Sequence, residues 1–188
     1  MLKIIYKVYL LFGYNIIVMP SGKVHDFLTY TSTAAIAYFL WHYQTVNDIF
    51  SLGIFSIASL FGGLMFGPDL DIKSVQYKRW GPLKFIWLPY QAFGHRSKKT
   101  QSHDALFGPV IRIIYFFVAI ICLAIFSAGI FSLFDKKLSL SFLFNLVNLI
   151  LQVPVKYQTF FLLGLWYGNV IHYFADWIWE FVPKGLRN

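Results

Sequence analysis

Two carboxylates stand one residue apart, Asp69 and Asp71, directly after Gly67-Pro68 where an apolar run stops. A proline there favours the end of the preceding helix, and Asp-x-Asp in an irregular segment can aim both side chains at one cation. Pro-Asp is also ordinary turn chemistry, so the pair needs company before it reads as a metal site. His172 and Asp176 supply it. At i and i+4 they project from the same face of a helix, inside an apolar stretch where an unpartnered carboxylate costs about 2.5 to 3.5 kcal/mol on insertion scales. His25-Asp26, His95 and Ser102-His103-Asp104 fall at polar junctions. The last is not a serine triad, because those roles are assembled in space and rarely by three consecutive residues. The fifth histidine, His42, reads as an interfacial or packing residue at the far end of the first apolar run.

Taken together, His25, Asp69, Asp71, His95, His103, His172 and Asp176 form a mixed nitrogen and oxygen donor set for a divalent metal ion. Such donors suit Zn first, with Mn or Fe as alternatives, and they are numerous enough for one or two ions. A metal in such a site lowers the pKa of a bound water toward about 7, which prepares attack on a phosphoryl or acyl centre. Asp26 and Asp104 are then the carboxylates left for catalytic general-base work. The lone Cys122 lies inside an apolar run, which excludes a disulfide framework and a thiolate metal site. No Gly-rich phosphate loop, Gly-x-Ser-x-Gly elbow or internal repeat is present.

What must hold these groups is a membrane. The 188-residue chain is 58% hydrophobic and 13% charged, where an ordinary soluble domain has roughly a quarter of its residues charged. Residues 27–43 make a marginal first span, and 49–67 a second in which Gly62-Gly63 would let helices approach closely. Residues 106–134 make a third, and 160–182 a last one interrupted by His172 and Asp176. Residues 138–155, with Asn145, Asn148 and Gln152, read as re-entrant or surface-lying. The expected fold class is all-α: a polytopic membrane helical bundle of about four transmembrane helices plus interfacial or re-entrant helical segments. Residues 1–18 contain an uncharged run too short to cross a bilayer and are set apart as an N-terminal extension. Met19-Pro20-Ser21-Gly22-Lys23 reads like a second start, so 19–188 is taken as a single membrane-embedded metal-binding domain.

The segment 73–99 carries Lys73, Lys78, Arg79, Lys84, Arg96, Lys98 and Lys99 and no acidic residue. By the positive-inside rule it is cytoplasmic, and it takes Asp69, Asp71, His25-Asp26 and His103-Asp104 to that face with it. A re-entrant 138–155 brings His172 and Asp176 to the same face. The aromatics Tyr77, Trp80, Phe85, Trp87, Tyr90 and Phe93 predict a segment lying in the interface, its basic groups toward anionic lipid headgroups. The net charge of +8 raises nucleic acid as a partner, but a basic, aromatic segment at a membrane already has a use for that charge, so none is expected.

Met19-Pro-Ser-Gly-Lys-Val-His25-Asp26, Gly62-Gly-Leu-Met-Phe-Gly-Pro-Asp69-Leu-Asp71, Ser74-Val-Gln-Tyr-Lys-Arg-Trp-Gly81, His95-Arg-Ser, Ser102-His103 and His172-Tyr-Phe-Ala-Asp176 resemble a family of metal-binding membrane proteins common in cyanobacteria. These in turn look like the wider YdjM-like group of membrane-bound metal-dependent hydrolases. The likeness runs from Met19 to about Trp179 and includes each candidate ligand. It implies a metal, a bacterial inner (plasma) or thylakoid membrane, and Met19 as the natural start. The His-Arg-Ser to Ser-His spacing looks shorter in relatives, and Lys98-Lys99-Thr100-Gln101 stretches it here. The expected function is that of a membrane-bound metal-dependent hydrolase acting on a phosphoester or lipid-linked substrate, its metal facing the cytoplasm. The rival is a non-catalytic metal-binding membrane protein with a structural, sensing or partner-binding role.

Overall fold

Local sequence signals set the helix ends. Asp48 accepts from the backbone N–H groups of Phe50 and Ser51 and so starts the second helix, Ser74 accepts from Tyr77 and starts a short one, and Gly67-Pro68 closes the run before Asp69. The computed structural model describes residues 22–93, 104–132 and 141–181. In chain order the helices are α1 (Gly22–His42), α2 (Ile49–Leu64), α3 (Val75–Arg79), α4 (Leu88–Phe93), α5 (Phe107–Ser132), α6 (Ser141–Gln152) and α7 (Val155–Phe181). Tight 3-10 turns occupy Pro68–Asp71 and Gly81–Trp87, and the described residues contain no strand.

Two described stretches are long and apolar enough to cross a bilayer, Ile49–Asp71 and Phe107–Phe131. Of the four expected spans, these two meet the requirement of length and composition. The other two, α1 and α7, are 21 and 27 residues long, but hydroxyls, amides and the candidate ligands interrupt them. Helix α6 has 12 residues, roughly 18 Å at the α-helical rise, too short for a hydrocarbon core of about 30 Å.

The fold is organised by α2 against α7, with α1 laid over both. A Cβ at Gly164 would run into the Phe55 carbonyl, and one at Gly168 into the Ser59 carbonyl. Only glycine permits that backbone approach. Because Phe55 faces Gly164 and Ser59 faces Gly168, the two helices run in the same direction. Their C-terminal ends, carrying Asp69 and Asp71 on one and His172 and Asp176 on the other, therefore arrive on one side. Thr33 bonds Ser59 at 2.8 Å to fix α1, and Lys156 reaches Asp48 at 3.0 Å, tying the start of α7 to the α1–α2 turn.

The segment after Asp71 folds inward. Trp87, Tyr77 and Tyr90 are buried in an aromatic core with Phe66 and Leu70, against Tyr115 and Phe116 of α5. These rings pack protein rather than lie along an interface. Phe85, Lys73, Lys78 and Lys84 stay exposed.

Candidate metal centre

The last carbonyls of a helix have no partner within it, and at the end of α2 they organise the site. Gly63 accepts from the Gln76 amide at 2.6 Å, Leu64 from Arg79 at 2.8 Å, Met65 from the Trp80 indole at 2.8 Å and Phe66 from Arg112 at 3.2 Å. Two of the donors are cations at the negative end of the helix dipole. The stretch 76–80 is thereby folded back over the α2 terminus, and Asp69 and Asp71 are held between it and α7.

Four candidate ligands meet there. His25, from the first turns of α1, stacks on His172 of α7 with centroids 3.9 Å apart and planes within 9°. Asp176 Oδ1 lies 3.4 Å from His25 Nε2, and its Oδ2 lies 3.9 Å from His172 Nε2. Asp69 Oδ2 approaches His172 Nε2 at 3.5 Å. Ligand atoms of His25, His172 and Asp176 all fall within 4.8 Å of one another. The imidazoles are 5% and 1% exposed, whereas the side chains of Asp69 and Asp176 are 17% and 14% exposed, so the cluster opens to the outside through its carboxylates.

These residues fit a cation. His25 Nδ1, His172 Nε2 and Asp176 Oδ1 are buried and make no hydrogen bond. Each such atom costs about 1 to 3 kcal/mol, and natural folds concentrate several of them in one place only where something else satisfies them. Donors each about 2.0 to 2.1 Å from a tetrahedral ion stand roughly 3.3 Å apart; His25–Asp176 at 3.4 Å and His172–Asp69 at 3.5 Å are close to this, and His172–Asp176 at 3.9 Å is wider.

The remaining candidates have different surroundings. Asp71 is buried and lies where its charge acts on Arg112 and Tyr90. Both oxygens of Asp26 are taken by the Arg79 guanidinium. Asp104 is exposed and caps α5, accepting from Leu106 and Phe107 at 2.8 Å. The Phe107 and Leu106 N–H groups hold its carboxyl below the usual carboxylate range. His95 and His103 lie outside the described residues. His42 is exposed and stacks on Tyr38.

Gln76, Arg79, Arg112 and Asn169 do not stand out as site residues from sequence, yet all border the cluster. Arg112 is 1% exposed and bonds Asn169 Oδ1 at 2.6 Å. The available signal was a single arginine within a long apolar run, since an ionisable residue in such a place faces the protein interior and marks a site.

A family model described as an uncharacterized metal-binding protein (DUF2227) matches residues 20–184. Neither a curated protein nor a solved structure matches the chain.

Proposed function

The chain belongs to that metal-binding family, and from this premise we propose that it is an integral membrane hydrolase whose His25, His172 and Asp176 hold a divalent ion, Zn first and Mn or Fe as alternatives. The observation that carries the reading is the buried cluster itself: two stacked imidazoles and a carboxylate, each with a buried atom that makes no hydrogen bond. Two imidazoles with one carboxylate leave coordination open, as hydrolytic metal sites require. An ion bound there would supply Lewis acidity and lower the pKa of water. The rings are stacked with planes within 9°, and in-plane lone pairs of parallel rings do not meet at one point, so one imidazole turns toward the ion on binding while the carboxylates close from the open side. Asp69 is the nearest proton acceptor, within reach of the same space. To serve instead, Asp26 and Asp104 would have to leave Arg79 and the α5 cap.

Membrane placement is supported by α5, whose most apolar window has no buried residue. Ile114, Phe117, Val118, Ile121, Ile125 and Phe126 are all exposed on it, a surface suited to lipid rather than water. The exposed Lys73, Lys78 and Lys84, in the segment that follows Asp71, support a cytoplasmic orientation and contact with anionic headgroups. They also favour a phosphoester or lipid-linked substrate, as does the resemblance to membrane-bound metal-dependent hydrolases. A second reading, a non-catalytic ion that knits α1 to α7, is favoured by the near-complete burial of both imidazoles.

The test is bound metal by mass spectrometry on protein purified in detergent, for wild type, Asp69→Asn and His172→Ala, followed by phosphomonoester, phosphodiester and ester assays. Stoichiometric metal with turnover that Asp69→Asn abolishes supports the hydrolase. Metal without turnover, lost together with folding in the variants, supports the structural role. A wild type that takes up no metal, even on reconstitution, refutes both.

A further inference from the structure

We propose that Gln76 is a latch on the tautomer of His172, released when metal binds. The inference rests on the metal reading above and concerns a residue that is not itself a ligand. The Gln76 side-chain nitrogen is 2.6 Å from the Gly63 carbonyl and 3.2 Å from His172 Nδ1. A carbonyl only accepts, so the atom beside it is the NH2 group of the amide, which only donates. His172 Nδ1 must then accept. A neutral imidazole that accepts at Nδ1 carries its hydrogen on Nε2, and that N–H points toward Asp69 Oδ2 at 3.5 Å and Asp176 Oδ2 at 3.9 Å.

This is the wrong tautomer for a ligand. Nε2 is the atom that faces the carboxylates, and to bind a cation it must present its lone pair, with the hydrogen moved to Nδ1. The donating amide blocks that state, since two donors would then face each other. The same amide also contains the remedy. Gln76 Oε1 is buried and makes no hydrogen bond, and a turn about the terminal torsion, which is soft in glutamine, can carry it onto Nδ1–H; the turn breaks the amide's bond to the Gly63 carbonyl and moves the amide away from that oxygen, which is the cost of releasing the latch. A Cβ at Gly67 would collide with this amide, so glycine there leaves the space in which it turns. The imidazole stays neutral throughout: one hydrogen leaves Nε2, one is gained at Nδ1, and the amide changes from donor to acceptor. Gln76 is thus a positioning residue that ties the end of α2 to ligand readiness on α7.

The experiment uses full-length protein in detergent with histidine labelled by nitrogen-15, without metal and with Zn2+ added, alongside competition titrations of Zn2+ for wild type, Gln76→Leu and Gln76→Glu. The expected spectrum shows His172 as the Nε2–H tautomer without zinc and as Nδ1–H with it. Gln76→Leu, which offers no acceptor, should bind zinc about 10- to 100-fold more weakly. Gln76→Glu, an acceptor in either orientation that cannot donate to the Gly63 carbonyl, should show Nδ1–H before zinc is added. A wild type already Nδ1–H without zinc, or a folded Gln76→Leu with undiminished affinity, overturns the latch while zinc uptake leaves the metal reading standing. A wild type that takes up no zinc removes both. The wild-type spectra decide the matter even if Gln76→Leu does not fold.

Discussion

The packing of α2 on α7 makes Gly168→Ala the sharpest single test of how the site is held. A Cβ at Gly168 would overlap the Ser59 carbonyl and stand 2.6 Å from the Gly63 nitrogen, where ordinary contact begins at 3.4 Å. The obstructing atoms are backbone, so no side chain can swing aside; the Gly63 contact alone requires the two helices to part by about 0.8 Å, and the Ser59 carbonyl requires more. Overpacking of this kind costs about 1 to 3 kcal/mol, a fall of roughly 2 to 12 °C in melting temperature for a chain of this size. Gly168 lies one helical turn before His172, and Gly63 is the anchor of Gln76, so the displacement passes directly to the ligand. Metal sites hold their ligand distances to within about 0.2 Å, several times less than this shift. A loss of metal affinity of about 10- to 100-fold should follow, or roughly 1.4 to 2.7 kcal/mol. Gly53→Ala and Gly129→Ala are the controls: both lie within helices, and a Cβ at either meets nothing within 4 Å. Alanine there should stabilise by about 0.5 to 1 kcal/mol through helix propensity alone. Thermal unfolding in detergent and metal content per chain measure both quantities. If Gly168→Ala melts and binds metal like Gly53→Ala, the close α2–α7 contact does not position the site.

Asp176→Asn, which keeps the shape but removes the charge shared by His25 and His172, should abolish stoichiometric metal while leaving the helical circular dichroism intact; retained metal would move the site elsewhere. Arg112→Met leaves the Phe66 carbonyl, the Asn169 oxygen and the nearby Asp69 and Asp71 charges without their cation. It should destabilise by about 3 to 5 kcal/mol in chemical denaturation. Asp48 is held down to about 2, chiefly by Ser51 and then by Lys156. A depressed carboxyl stabilises the fold above its ordinary value of about 3.9, and that contribution is lost as pH falls through about 2. Asn caps a helix as well as Asp does, so Asp48→Asn should flatten this stretch of the stability–pH curve and leave the plateau near neutrality only slightly lower, as read by melting temperature at stepped pH.

Composition and local spacing determined much of this protein. Apolar runs with few charges require helices that satisfy their own backbone, Gly67-Pro68 requires a stop before Asp69, and the i, i+4 spacing puts His172 and Asp176 on one face. Periodicity, however, encodes only what is near in the chain. It lists eligible donors without saying which of them meet. That choice was made by tertiary packing: glycines at 164 and 168 let α7 lie parallel to α2, and the shared direction brings His172 and Asp176 to His25 and Asp69. The same packing gave Asp26 to Arg79, left Asp104 on a helix cap, and turned Trp87 and Tyr90 inward. Gln76 and Arg112 show the limit most clearly. Gln76 is an ordinary polar residue in its own segment and the apolar run around Arg112 says only that it belongs inside; the partner of each is a carbonyl at the end of α2, 13 residues away for Gln76 and 46 for Arg112, that no local pattern connects to it.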